Sequence, residues 1–251
     1  ADPSLPIEGV RHRERVGRAF FDAWIATFID PRETAAESVA AALTVDSDEG
    51  TITEEDGAVL EEFFRRIDRA QILSLTRVFE TGTAEINEYI HRRFRRRVSA
   101  PQRGRFVVGE PVLMLRNDYE LGLYNGDRGL VCRVDRGGGP RMSVAFRTRD
   151  GFRCVELSRI HDDIRHSYAI TVHKSQGSEF EHVALVLPNR DISILTREIL
   201  YTGLTRASRS VTILGGRSIL EVGARRRLSR HTGVAERLSA EVGSGEVGTG
   251  E

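Results

Sequence analysis

The spacing of apolar positions changes several times along this chain, and the changes divide it into segments. Val16, Ala19, Phe20, Ala23, Trp24 and Phe28 recur at helical intervals, the stripe of a helix with one buried face. Pro31 follows its expected end. A second stripe runs through Val59, Leu60, Phe63, Phe64 and Ile67. It begins at Thr53-Glu54-Glu55-Asp56, an N-cap followed by acids suited to a first helical turn. Residues 1–70 are therefore expected to be a helical segment. Gln71–Thr76 is a short apolar run of the buried-strand kind that ends at Arg77. Thr83–Arg97 then reads as a helix with Ile86, Tyr89, Ile90 and Phe94 on one face.

After Pro101–Gly104 the texture shifts to short alternating runs at Pro111–Arg116, Gly129–Asp135, Arg141–Arg147 and Phe152–Leu157. Asn125-Gly126-Asp127 and Gly137-Gly138-Gly139 are turn signals between them. Several strands in so short a stretch predict a small β-barrel over 104–160. From His166 onward apolar strands alternate with helices again. Ser167–Val172, His182–Leu187 and Ser210–Leu214 read as strands; Glu198–Ala207 and Ser218–Leu228 read as helices. That alternation predicts an α/β fold, a mainly parallel sheet with helices on both faces, built from 71–103 and 161–235 and interrupted by the barrel. The Gly/Ser/Glu-rich end predicts a disordered tail over 236–251.

Composition narrows the field a little. Of the residues, 39% are apolar and 29% charged, with 37 basic balancing 37 acidic, so net charge argues neither for nor against a nucleic-acid partner. Cys132 and Cys154 sit in apolar runs and read as small buried hydrophobes. No Cys/His spacing suggests a metal site, and His161, His166, His173 and His182 do not form a metal set. No run approaches ~18 apolar residues, so no membrane span is expected and a cytoplasmic protein is the default. The run His91–Arg97 reads as a solvated helix face, with phosphate-backbone binding as the alternative.

Two segments carry chemistry. Thr171–Phe180 (TVHKSQGSEF) is a polar stretch between two apolar strands, where a sheet edge can meet a ligand. Its Lys, Ser, Thr and His can hold a phosphate, Gly177 allows close backbone approach, and Glu179 suits ribose hydroxyls. A plain connecting loop with Gly177 as C-cap is the alternative. Thr196–Ala207 carries Arg206 near a helix end. There an arginine can reach a transferring phosphoryl group, or simply complement the helix dipole.

Together and in this order the two segments resemble motifs V and VI of superfamily-1 helicases. TVHKSQGSEF followed by LYTGLTRA is especially similar to the RecD type. Gly109-Glu110-Pro111-Val112, Arg116-Asn117-Asp118 and Gly122–Gly129 resemble the start of the SH3-like insertion of that family. The strand–Arg77–helix segment, with Asn87, is similar to motif IV. The resemblance implies a second RecA-like helicase domain carrying an SH3-like barrel. It makes Arg206 an arginine finger and Arg77 a second γ-phosphate sensor, with Gly177 and Glu179 facing the nucleotide. Thr171, His173, Lys174 and Ser175 would line the path of single-stranded DNA, extended by Asn117 and Asp118. It implies ATP with Mg²⁺ as cofactor, translocation 5′ to 3′, and RecB- and RecC-like partners in an exodeoxyribonuclease V complex for double-strand-break repair. A standalone RecD-like helicase, or a non-catalytic strand-binding module, are the alternatives. No Gly-x-x-x-x-Gly-Lys-[Ser/Thr] loop occurs. The phosphate- and Mg²⁺-holding first RecA-like domain is thus expected upstream of Ala1, and this chain alone is expected not to hydrolyse ATP. No nuclease-type carboxylate cluster occurs either, so no nuclease activity is expected.

Overall fold

The computed structural model describes residues 8–29, 43–46, 51–96, 104–149 and 151–228. The tail expected over 236–251 lies outside them. Five strands form an all-parallel sheet: β1 (Gly9–Arg13), β4 (Ala70–Ser74), β10 (Ala169–Thr171), β11 (Phe180–Val186) and β12 (Ala207–Leu214), in the order β1-β12-β11-β4-β10. Adjacent residues point to opposite faces, and both faces are covered. Ile72, Ala184 and Val186 meet Phe20, Phe21 and Trp24 of α1 (Arg18–Trp24), with Ile86 and Ile90 of α3 (Thr83–Arg95). Leu73, Val183 and Leu185 face the other way, onto Ile199 and Leu200 of α5 (Arg197–Leu204) and the flank of α6 (Arg217–Arg225). This is the expected α/β layering.

The helical expectation for residues 1–70 holds only in part. Gly9–Arg13 is a strand on the sheet edge, and Leu43–Asp46 (β2) and Thr51–Ile52 (β3) are strands too. Four of the five residues in β1 are exposed, so the strand leaves no apolar rhythm to read and is held by backbone pairing to β12. The helix α2 (Glu54–Arg69) does form, with Thr53 Oγ1 accepting from Asp56 N at 3.2 Å. Its apolar face, Leu60, Phe63 and Phe64, packs against Leu130, Cys132, Ala145 and Cys154. It therefore belongs to the core of the second sheet.

That second sheet is mostly antiparallel: β5 (Pro111–Met114), β6 (Arg128–Asp135), β7 (Pro140–Thr148) and β8 (Gly151–Glu156), with β9 (Ile164–His166) beside β5 and β2 beside β6; the short helix α4 (Leu157–Ile160) joins β8 to β9. It thus draws strands from both sides of the expected 104–160 segment. Both cysteines are buried in it and unpaired, as their apolar setting suggests. Gly129 is a close-approach position: an added Cβ would lie 2.5 Å from Val144 Cγ1 and 2.8 Å from Phe146 Cε1. Gly129→Ala is expected to lower stability by about 1–3 kcal/mol through overpacking, read by urea unfolding; an unchanged midpoint would contradict this packing. No helix among the described residues is long and apolar enough to cross a membrane.

Candidate functional site

In a parallel sheet all strands enter at one edge and leave at the other. β4 and β10 end at Ser74 and Thr171 beside each other, while β11 and β12 begin at the opposite edge, with Phe180 N donating to Arg206 O at 2.8 Å. The segment from Thr171 to Phe180 leaves one edge and arrives at the other, and its predicted site residues divide accordingly.

At the exit edge lies a cleft of about 850 Å³ between the two sheets, whose walls include Thr171, Lys174, Arg77, Arg105, Arg165 and Asn125. Neither Arg77 nor Arg165 makes an ion pair with an acidic side chain among the described residues. Burial pushes the Lys174 amine down, and Arg165 and Arg77 push it further. Arg165 is likewise lowered by burial and then by Arg77 and Arg105. An anion in the cleft would relieve both the burial and the mutual repulsion of these cations. Lys174 Nζ donates to Asn125 Oδ1 at 3.0 Å, and Asn125 N donates to Asn117 Oδ1 at 2.8 Å. Asn117 therefore joins this site. Asp118 instead closes a turn, its Oδ1 accepting from Leu121 N at 3.0 Å. His173 is exposed beside Lys174, whereas Ser175 is wholly buried and its hydroxyl donates to Val172 O at 2.8 Å, holding the 3₁₀ turn Val172–Ser175. Asn87 binds the backbone of Ala169 through both ends of its amide, at 2.8 Å each, and so secures the sheet's edge strand.

At the entry edge stand Gly177, Glu179 and Arg206. Gly177 has φ +86°, a left-handed conformation that favours glycine. The Arg206 guanidinium meets only oxygens of the chain itself: Ser178 O at 3.0 Å, Thr202 O at 3.3 Å and Thr205 Oγ1 at 3.4 Å. No carboxylate neutralises it among the described residues. Arg77 and Arg206 thus lie at opposite edges and do not share one site.

Sequence reasoning passed over Arg105, Arg165 and Asn125, because chain folding alone brings the two ends of the inserted sheet together. The run His91–Arg97, read as a solvated helix face, is exposed at Arg92, Arg95 and Arg96, while Arg97 lies outside the described residues. His91 and Phe94 are buried, and Arg93 pairs with Asp22 at 2.8 Å. His91 Nδ1 lies 2.6 Å from Glu110 Oε1, and His166 Nε2 lies 2.9 Å from Glu110 Oε2. Tyr168 Oη donates to Oε1 at 3.2 Å and Val107 N to Oε2 at 2.8 Å. His91, Glu110 and His166 are metal-ligand residue types clustered within 4.8 Å, and their N···O separations are hydrogen-bond lengths.

Residues 166–214 match the UvrD-like helicase C-terminal domain. The RecD subunit of the RecBCD enzyme from Mycolicibacterium smegmatis is 33% identical over 177 residues, covering 70% of this chain and 30% of that protein. The ATP-dependent RecD2 DNA helicase of Deinococcus radiodurans is 36% identical over 134 residues, 53% of this chain and 18% of that one. A crystal structure of Pif1 helicase from Bacteroides with ADP-AlF3 and ssDNA aligns over 77% of this chain and 51% of that chain with TM-score 0.41 and 16% identity, too slight a likeness to argue from. The matched domain and the layered parallel sheet define a helicase C-terminal domain of the superfamily-1 kind. More particularly, this chain is a C-terminal region of the RecD type. It spans under a third of the length of these curated relatives.

Proposed function

We propose that this chain is the second motor region of an ATP-dependent RecD-type DNA helicase, gripping single-stranded DNA at one sheet edge and sensing ATP at the other. The observation that carries the reading is the Thr171–Phe180 crossover, which starts among the cleft cations and ends against Arg206. A shift of either edge is transmitted through one short segment to the other.

In this reading Thr171, His173, Lys174 and Asn117 follow the strand, and Arg77, Arg105 and Arg165 join them as phosphate contacts. Ser175 supports them by fixing the turn. At the other edge the un-neutralised Arg206 fits a phosphate and Glu179 a ribose. ATP with Mg²⁺ would be held chiefly by a first RecA-like domain outside this chain, and would supply the free energy for each step. Arg206 offsets charge developing on the transferred phosphoryl group. The inserted sheet is read as an SH3-like barrel forming the far wall of the cleft. Translocation runs 5′ to 3′, and the protein works in the cytoplasm. The mycobacterial relative bears the name of a RecBCD subunit, which favours RecB- and RecC-like partners and a role in double-strand-break repair. The Deinococcus relative, named a RecD2 helicase, keeps a standalone enzyme as the second reading.

Single-strand binding by this chain, measured against salt, tests the grip. Lys174→Ala is expected to weaken binding and make the log–log salt slope shallower by about 0.7, the value for one phosphate contact on a single strand. Binding that survives Lys174→Ala and His173→Ala with its slope unchanged would refute the assigned path.

A further inference from the structure

Two tyrosines on the loop that leads to Asn125 face solvent instead of the core. Tyr119 is 78% exposed, the highest value among the exposed large hydrophobic side chains of the described residues, and Tyr124 is 53% exposed. Their rings meet edge to face, with centroids 6.3 Å apart and planes at 81°. They are nonetheless held firmly. Asp118 and Leu123 exchange both backbone hydrogen bonds across the loop that carries Tyr119, at 2.7 and 2.9 Å. Asn117 Nδ2 donates to Tyr119 Oη at 3.1 Å, and Tyr124 N donates to Asp127 Oδ2 at 2.8 Å. The residue after Tyr124 is Asn125, whose Oδ1 accepts from Lys174 Nζ. Rigid aromatic rings are therefore presented to solvent next to the cation cluster of Lys174, Arg77 and Arg165.

From this juxtaposition we propose that Tyr119 and Tyr124 form a stacking platform for the nucleobases of a single strand whose phosphates lie on the neighbouring cations. The proposal rests on the strand-gripping reading above and adds to it the surface that takes the bases. A lone cation cluster suits any polyanion. Exposed rings beside it suit one whose charges alternate with flat π-faces, which is a nucleic-acid strand. Every base has such a face, so the platform binds without reading sequence, as a translocating motor requires. The ordered loop has already lost the freedom that stacking would otherwise cost.

The test compares oligothymidylate with an abasic strand of the same length and charge, both binding to the full chain. The platform predicts that the chain prefers the base-bearing strand, and that Tyr119→Ala or Tyr124→Ala lowers affinity for it by about tenfold each. The salt slope should stay unchanged, because no phosphate contact is lost. Both variants should leave abasic binding untouched, and Tyr119→Phe, which keeps the ring, should retain the preference. Equal binding of the two strands by the wild type, with Lys174→Ala still weakening both, would overturn the platform and leave the cation path standing. Failure of both strands to bind would overturn the path and the platform together. Loss of the preference in Tyr119→Phe would show that the hydroxyl, not the ring, makes the contact, and would also overturn it.

Discussion

Alanine at Arg206 is expected to cut DNA-stimulated ATP turnover of the full-length protein by about three orders of magnitude or more, the usual worth of an arginine finger. Three features support so large an effect. The guanidinium is positioned by Ser178 O and Thr202 O and carries no carboxylate partner among the described residues, so its charge is available to a phosphate. It sits where α5 hands over to β12, on an element anchored by the sheet. It also touches the crossover that leads to the cleft. Arg206→Lys keeps the charge but loses the planar fork, and is expected to recover only a small part of the rate. Strand affinity should be unchanged in both variants, because Arg206 lies at the opposite edge. Steady-state turnover against DNA concentration separates these quantities, and near-normal turnover in Arg206→Ala would remove the finger assignment.

The second large effect concerns stability. Glu110 is completely buried and accepts from four donors: His91, His166, Tyr168 and Val107. It stands just before β5, where the chain returns to the second sheet, and His166 and Tyr168 stand where the chain leaves it. One carboxylate thus clasps both crossings to α3 of the parallel sheet. Glu110→Ala strands buried donors and is expected to cost about 3–5 kcal/mol, the range for breaking a buried charged network. Glu110→Gln keeps the shape and should cost less. Burial pushes the Glu110 carboxyl up, but hydrogen bonds and charge from His166 and His91 outweigh this and hold it below the ordinary carboxylate value. A carboxyl lowered in the folded state contributes stability that is fully present above its unfolded pKa. That contribution is lost as pH falls through the folded value. The stability gap between wild type and Glu110→Gln should therefore be constant near neutrality and narrow only on the acid side of the carboxylate range. Urea midpoints measured across pH check this, and a gap that persists unchanged into acid would contradict the clasp.

Much of this architecture was legible before folding, where a local pattern encoded it. The largely apolar runs before Arg77 and after Glu179 are β4 and β11, because strands covered on both faces are mostly apolar. Thr53 and its following acids mark the start of α2. The crossover motif and Arg206 were legible as a pair because both are contiguous wording. What stayed hidden was non-local. β1 has four exposed residues in five and exists through its pairing with β12. Glu110 meets His91 and His166 across separations of 19 and 56 residues. Arg105 stands before β5 and Arg165 within β9, and the two come together only when the ends of the second sheet close. Arg77 shows the same limit: a strand followed by arginine suggests a phosphate sensor, and strand direction alone decides which edge that arginine faces.

Strand and nucleotide are thereby assigned to opposite edges of one sheet. Arg77→Ala in the full-length protein tests this assignment most directly, with ATP turnover followed as single-stranded DNA is titrated. More DNA is expected to be needed for half-maximal turnover while the saturated rate stays close to wild type, since Arg77 belongs to the cleft. A collapse of the saturated rate with the DNA requirement unchanged would place Arg77 at the nucleotide and contradict it.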